Sequence, residues 1–224
     1  VFGYFSNAAA IEGVNFGVSL TAGAFEVDGA KEEFKGAHAG VGSPGNVSKS
    51  NSTDGDEAEG LFAIGSLFVE AEVNDMFALG VDYVPHSLES ETTENIQADM
   101  TTSSSSSNKT NTVQVDFEDL ITVYATLSTP EMNGVYVKAG YMQVDVITNE
   151  NLGTGGAYNN TELDGYTLAL GYGRDLPDDM FVRVEASYMD LDGATLTNTN
   201  DSTKSVTADG ITGYGARISI GKSF

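Results

Sequence analysis

The chain has 224 residues, 40% of them hydrophobic, with 26 Gly, 4 Pro and no Cys, and its 10 Lys+Arg against 33 Asp+Glu give a net charge of −23. That balance argues against nucleic acid as a partner, because a polyanion is bound through clustered Lys and Arg. The absence of Cys removes disulfides, thiolate metal sites, Cys nucleophiles and a lipoprotein anchor, no apolar run reaches the roughly eighteen residues a membrane-spanning helix needs, and no motif calls for a cofactor.

Residues 1–10 stand apart from the rest of the chain. Phe2, Tyr4 and Phe5 lead into Ala8-Ala9-Ala10, which reads either as the tail of a secretory signal sequence or as an N-terminal arm. From there, 11–224 reads as one domain. Val14, Phe16, Val18, Leu20, Ala22 and Ala24 alternate with Asn15, Gly17, Ser19, Thr21 and Gly23, the period of two that marks a strand. A polar, Gly-rich stretch from about Gly29 to Glu59 is expected to be a long loop. Leu61 to Val73 is a second strand, returning through Asn74-Asp75 into Phe77, Leu79, Val81 and Tyr83. Ser87 to Asn111 contains the serine run Ser103 to Ser107; such a stretch cannot bury a core and is expected to be a mobile loop.

Strand character returns over 112–127, turns at Pro130, and continues through Val135, Val137, Ala139 and Tyr141. After a loop at Asn149 to Asn160 come Tyr166, Leu168, Leu170 and Tyr172, then the turn Leu176-Pro177-Asp178-Asp179 and the strand Val182, Val184, Ala186 and Tyr188. Asp192 to Ala208 is the last polar loop expected. The closing strand places Tyr214, Ala216, Ile218, Ile220 and Phe224 on one face and Gly213, Gly215, Arg217, Ser219 and Gly221 on the other.

Long polar loop, two strands, short turn, long polar loop is the rhythm of an all-β chain. It predicts an eight-stranded antiparallel up-and-down transmembrane β-barrel with four long extracellular loops, its apolar face turned to lipid and small or polar groups to the lumen. The strands reach the roughly nine to eleven tilted residues that cross a bilayer. With the terminal Phe224, this architecture resembles the small bacterial outer-membrane β-barrel class that includes the OmpA transmembrane domain, OmpX and OmpW. The resemblance implies an integral outer-membrane protein of a Gram-negative bacterium, and makes the last strand, ending in Phe224, the assembly signal read by the barrel-assembly machinery. Lys222 departs from the pattern, standing where that class has an apolar or aromatic residue; near a membrane rim it can snorkel.

Alternation places Lys138, Arg183 and Arg217 on the lumen face together with Glu70, Asp82 and Glu185. A barrel of this size is filled by its side chains, and buried charges must pair, so these six are expected to form an ion-pair plug; the alternative is a gate or a narrow porin-like path for small solutes or ions. Tyr83, Tyr141, Tyr166, Tyr172, Tyr188, Tyr214 and Phe224 fall at strand ends or on the lipid face, as interfacial girdles do. Of the two histidines, His38 and His86, His86-Ser87 could begin a hydrolase triad, but no motif accompanies it, and the chain is not expected to be an enzyme. Asp54, Asp56, Glu57 and, further on, Asp190 and Asp192 have partial Ca²⁺-ligand spacing without a complete loop, so divalent cations are possible partners of acidic loops. The function expected is a structural or surface-facing one. A soluble lipocalin-like carrier is a rival, though it would point its apolar side chains inward.

Overall fold

A computed structural model describes residues 13–34, 56–90, 92–102, 105–129, 131, 133–153, 156–200 and 204–224. Ten strands follow in chain order: β1 (Gly13–Phe34), β2 (Asp56–Asn74), β3 (Phe77–Tyr83), β4 (Leu88–Glu89), β5 (Thr93–Thr102), β6 (Ser105–Ser128), β7 (Val135–Leu152), β8 (Thr161–Asp175), β9 (Met180–Thr197) and β10 (Lys204–Ser223). The sheet runs β3-β2-β1-β10-β9-β8-β7-β6, and β6 pairs back onto β3, so the ring closes on eight antiparallel staves. β3, β4 and β5 all lie along β6 and together make one stave. Pro85, exposed between β3 and β4, has no amide hydrogen to give a ladder.

Tight turns join the staves at one end. Asn74 Oδ1 accepts the amides of Met76 and Phe77 at 2.9 and 3.0 Å, a side chain standing in for a backbone turn. Asp178 and Asp179 have φ of 64° and 60°, and the Met180 amide donates to Pro177 at 3.4 Å. Two successive left-handed residues match the twist of the flanking strands. A bulge between Glu118 and Ile121, with Asp119 at φ 51°, switches the phase of β6: Phe117 and Leu120 both line the lumen, while Ile121 and Val123 face out.

Where the structure describes them, the polar stretches expected to be loops are largely strand. β1 runs on to Phe34 and β2 begins at Asp56. Within Ser87 to Asn111, β5 and the start of β6 form a hairpin, and β9 and β10 extend to Thr197 and back from Lys204. Ladder hydrogen bonds are made by the main chain and need no apolar face, and Thr tolerates the pleat well. At roughly 3.3 Å per residue, the 24-residue β6 and the 22-residue β1 are far longer than a bilayer crossing, so the barrel continues past its apolar belt at the long-loop end.

That belt is continuous. Leu20, Leu168, Leu170, Val184 and Ile218 are all about half exposed or more on the outside, and an apolar band of this extent is stable against acyl chains and not against water. Among the described residues no helix is long and apolar enough to cross a membrane; the crossing is made by strands.

Six of the aromatic rings on the inner face each lie opposite a cross-strand glycine: Phe68 by Gly17, Phe62 by Gly23, Phe25 by Gly60, Tyr124 by Gly80, Tyr136 by Gly171 and Phe181 by Gly221. A Cβ at Gly80 would stand 2.3 Å from the Tyr124 ring, and one at Gly171 2.2 Å from Tyr136. The glycines leave the floor on which the rings lie, and so let a narrow barrel be filled.

Candidate functional site

Lys138 on β7, Arg183 and Glu185 on β9, Arg217 on β10, Glu70 on β2 and Asp82 on β3 meet inside the barrel, toward its tight-turn half. Lys138 Nζ donates to both oxygens of Glu185 at 2.9 and 2.8 Å, and the Tyr136 hydroxyl donates to the same carboxylate at 2.7 Å. Arg183 grips Glu70 with both terminal nitrogens, at 3.0 and 2.8 Å, the planar fork geometry that favours Arg over Lys. Asn15 donates to Glu70 and to Glu72 at 3.2 and 2.9 Å. Arg217 donates to Asp82, Ser19 and Ser66, and its Nε lies 3.8 Å from Glu185. Ser66 in turn donates to Asp82 at 3.0 Å.

Glu185 touches both Lys138 and Arg217 and so joins those two cations and Asp82 into one group, while the Arg183 and Glu70 pair meets that group only through the ring of Tyr136. Rings close over the cations: Tyr124 stands 4.7 Å from Lys138 Nζ, and Phe181 and Tyr136 lie 4.5 and 5.5 Å from the Arg183 guanidinium. Glu70 and Asn15 are each only 1% exposed. Burying so many charges is costly unless each is matched, and here each cation has a carboxylate and each carboxylate a cation. Strand neighbourhood alone would give Arg217 to Glu185, its cross-strand partner; its short contact is with Asp82, across the lumen.

Tyr124 and Tyr136 belong to this set, and nothing in the sequence around them marks them out. Tyr136 sits in Val135-Tyr136-Val137, where three apolar residues in a row hide which one points inward. The other half of the lumen was missed for the same reason. There Phe62, Ile64, Met142, Val144, Leu163, Leu191 and Ile211 face the interior, so the expectation of a lumen kept for small and polar groups holds only toward the tight turns.

The remaining candidates are dispersed. Asp54 and His38 lie outside the described residues, as do the side chains of Asp56 and Glu57 and all of 1–10. Asp190 accepts the hydroxyls of Tyr166 and Tyr188 at 2.8 and 2.9 Å, Asp192 is exposed, and among the described residues no three His, Asp or Glu side chains cluster as metal ligands would. His86 Nε2 accepts the Gly65 amide at 3.1 Å and Nδ1 stands 3.2 Å from the Ser87 carbonyl oxygen; the imidazole is thus bound to backbone at both nitrogens and not to the Ser87 hydroxyl.

Tyr83, Tyr141, Tyr166, Tyr188 and Tyr214 ring the outside below the long-loop extensions. The Tyr188 ring stands 5.4 Å from Tyr214 and 6.2 Å from Tyr166, and the Tyr83 hydroxyl donates to Asp119 at 2.7 Å. Toward the tight turns Tyr172 and Phe224 are exposed, Phe224 meets Phe16 edge-on at 5.8 Å, and Lys222 Nζ lies 5.6 Å from the Phe224 ring. Lys222 is thereby held against an aromatic face, a favourable place for a cation at an interface.

No protein-family model matches the chain, and no curated protein matches it either. Among solved structures, outer membrane protein AlkL in lipid bilayers matches with a TM-score of 0.52 at 12% identity, over 100% of this chain and 96% of that one. OprG from Pseudomonas aeruginosa gives 0.42 at 9%, covering 97% and 99%, and the outer membrane protease OmpT from Escherichia coli 0.40 at 12%, covering 96% and 97%. At such identity the AlkL likeness speaks to fold, and the fold is that of a small outer-membrane β-barrel.

Proposed function

We propose, on the premise of that fold, that the chain is an integral protein of a bacterial outer membrane whose barrel is shut by its inner ion pairs and whose work is structural and surface-facing, not conductive. The observation that carries this reading is the three matched pairs Lys138–Glu185, Arg183–Glu70 and Arg217–Asp82 packed together in the lumen, with rings over two of the cations. An ion crossing the lumen would have to displace matched charges from one another, and breaking a buried pair typically costs about 3 to 5 kcal/mol. The void beside this set measures only about 70 Å³.

The surroundings fit the same role. The tyrosine ring and the Phe16, Tyr172 and Phe224 group supply an anchor at each interface, and lipid is the first partner. The barrel-assembly machinery would engage the C-terminal strand through Phe224. The chain's net charge of −23 would repel neighbouring molecules and draw divalent cations from the medium as counterions. Incorporation into a planar bilayer tests the proposal: the protein should insert and leave the membrane non-conducting, and steady single-channel currents from the unmodified protein would replace this reading with that of a narrow porin-like channel.

A further inference from the structure

The barrel wall is interrupted where β3 ends. Leu67 opposite Tyr83 is the last paired position between β2 and β3. Continuing that register would put Pro85 opposite Gly65, and proline cannot donate to the ladder. Beyond this point β4 and β5 follow β6, while residues 56–66 of β2 are laddered to β1 alone among the described residues. Two strand edges therefore face each other unzipped.

The His86 imidazole spans them. Its Nε2 accepts the Gly65 amide hydrogen at 3.1 Å, the bond that the backbone at 85 would otherwise have to supply. An accepting Nε2 carries no hydrogen, so the ring proton sits on Nδ1, 3.2 Å from the Ser87 carbonyl oxygen, and one neutral tautomer satisfies both contacts. Protonation turns Nε2 into a donor aimed at another donor, and the tie to Gly65 is lost. Behind the ring lies a cavity of about 80 Å³ lined by Phe62, Ile64, Val84, Leu88, Met142 and Leu191 among others, with His86 as its one ionisable wall residue. On the elements around it, Asp82 is taken by Arg217 and Asp119 by Tyr83. Glu59 on β2, Glu89 on β4 and Asp116 and Glu118 on β6 are further carboxylates of these elements near the break in sequence, with Asp116 opposite Glu89 and accepting from Asn149.

We propose that His86 is a proton-operated latch on this break: neutral, it ties β2 to the β3–β4 stave and closes the apolar cavity, and protonated, it lets go of Gly65 and opens the cavity to small apolar solutes. The cavity shares Phe62, Ile64, Val84 and Met142 with the void of about 70 Å³ that the Arg217 and Asp82 pair lines, and that pair bars a solute from a path through.

The chain contains no Trp, so Phe62→Trp places a single reporter in the cavity, and Met189→Trp on the facing wall serves if the first variant does not fold as a heat-modifiable barrel. Quenching by bromobenzene, an apolar heavy-atom quencher, is measured in detergent between about pH 8 and about pH 5, the range in which a histidine can change charge. Quenching should rise several-fold on acidification and saturate as a site does. In the His86→Gln background, whose amide oxygen can still accept from Gly65 and does not titrate, it should stay low at both ends. In His86→Phe, which cannot accept, it should be high throughout. Equal quenching at both ends of the range, or a rise that survives His86→Gln, would overturn the latch.

Discussion

The two halves of the lumen solve the same problem in opposite ways. Toward the tight turns, space is filled by charges locked in pairs, with Glu70 buried to 1% exposure; toward the long-loop end it is filled by Met142, Val144, Leu163, Leu191 and Ile211 as in a soluble core. A charged filling is unforgiving, since each group is stable only while its partner stays. An apolar filling is tolerant, since a lost side chain leaves a void but no uncompensated charge. The contrast marks which half would carry the proposed seal and which could yield.

The sharpest way to break the contrast is Arg217→Leu. It strands Asp82 in a site 5% exposed, and stability in urea should fall by about 3 to 5 kcal/mol, with conductance in planar bilayers rising from near zero. Leu191→Ala in the apolar half should cost about 3 kcal/mol through the cavity it leaves, yet leave the bilayer non-conducting because the pairs beneath are intact. A conducting Leu191→Ala barrel would mean that the apolar half is the seal. Smaller again is Gly80→Val, whose branches must push Tyr124 off its glycine floor; overpacking of this kind should cost about 1 to 3 kcal/mol, and near-UV dichroism should report the displaced ring.

The mildest effect is expected above the belt, at Glu150 on β7. Burial raises its carboxyl above the usual range, while the Tyr158 amide it accepts pulls partly the other way. A raised folded value means that the folded protein holds the proton more tightly than the unfolded chain does. Its contribution is therefore present at low pH and is lost as pH climbs from the ordinary carboxylate range through the raised value. Amide exchange at the β7–β8 end, corrected for the intrinsic rate, should speed up over that climb, and Glu150→Gln should flatten the change.

How much of this could be read from the chain depends on which force set each feature. The eight staves were legible because alternation such as Leu168, Leu170 and Tyr172 against Ala169 and Gly171 records one lipid face and one inner face. The inward placement of Arg217 and Glu185 followed from the same period. Partner choice did not: Arg217 and Asp82 are 135 positions apart, and nothing local records which carboxylate the curvature brings within reach. Phe62 and Ile64 were hidden because Leu61 and Ala63 are apolar too, so the period vanishes where both faces are dry. The hairpin of β5 and β6 was illegible for the opposite reason: above the membrane its strands are held by main-chain bonds, which leave no mark on the choice of Thr, Ser or Asn.

The junction of β1 with β10 bears on how the barrel comes into being. It runs without a register shift from Asn15 against Ser223 to Phe34 against Lys204, and the Phe224 amide and carbonyl bond Val14 at its base. Every other stave is paired to a neighbour close in sequence, whereas this junction joins the first of these strands to the last and encloses nearly the whole intervening chain as a loop. Loop-closure entropy has to be met before such distant pairs return anything, and chains rich in them fold slowly. The seven other junctions can zip locally and would be complete while β1 and β10 still present raw edges, so for a time the nascent protein is an open, edge-bearing sheet. In that interval its danger is association with another open sheet, and the speed with which β1 meets β10, more than the depth of the final free-energy minimum, decides how much chain ends as barrel.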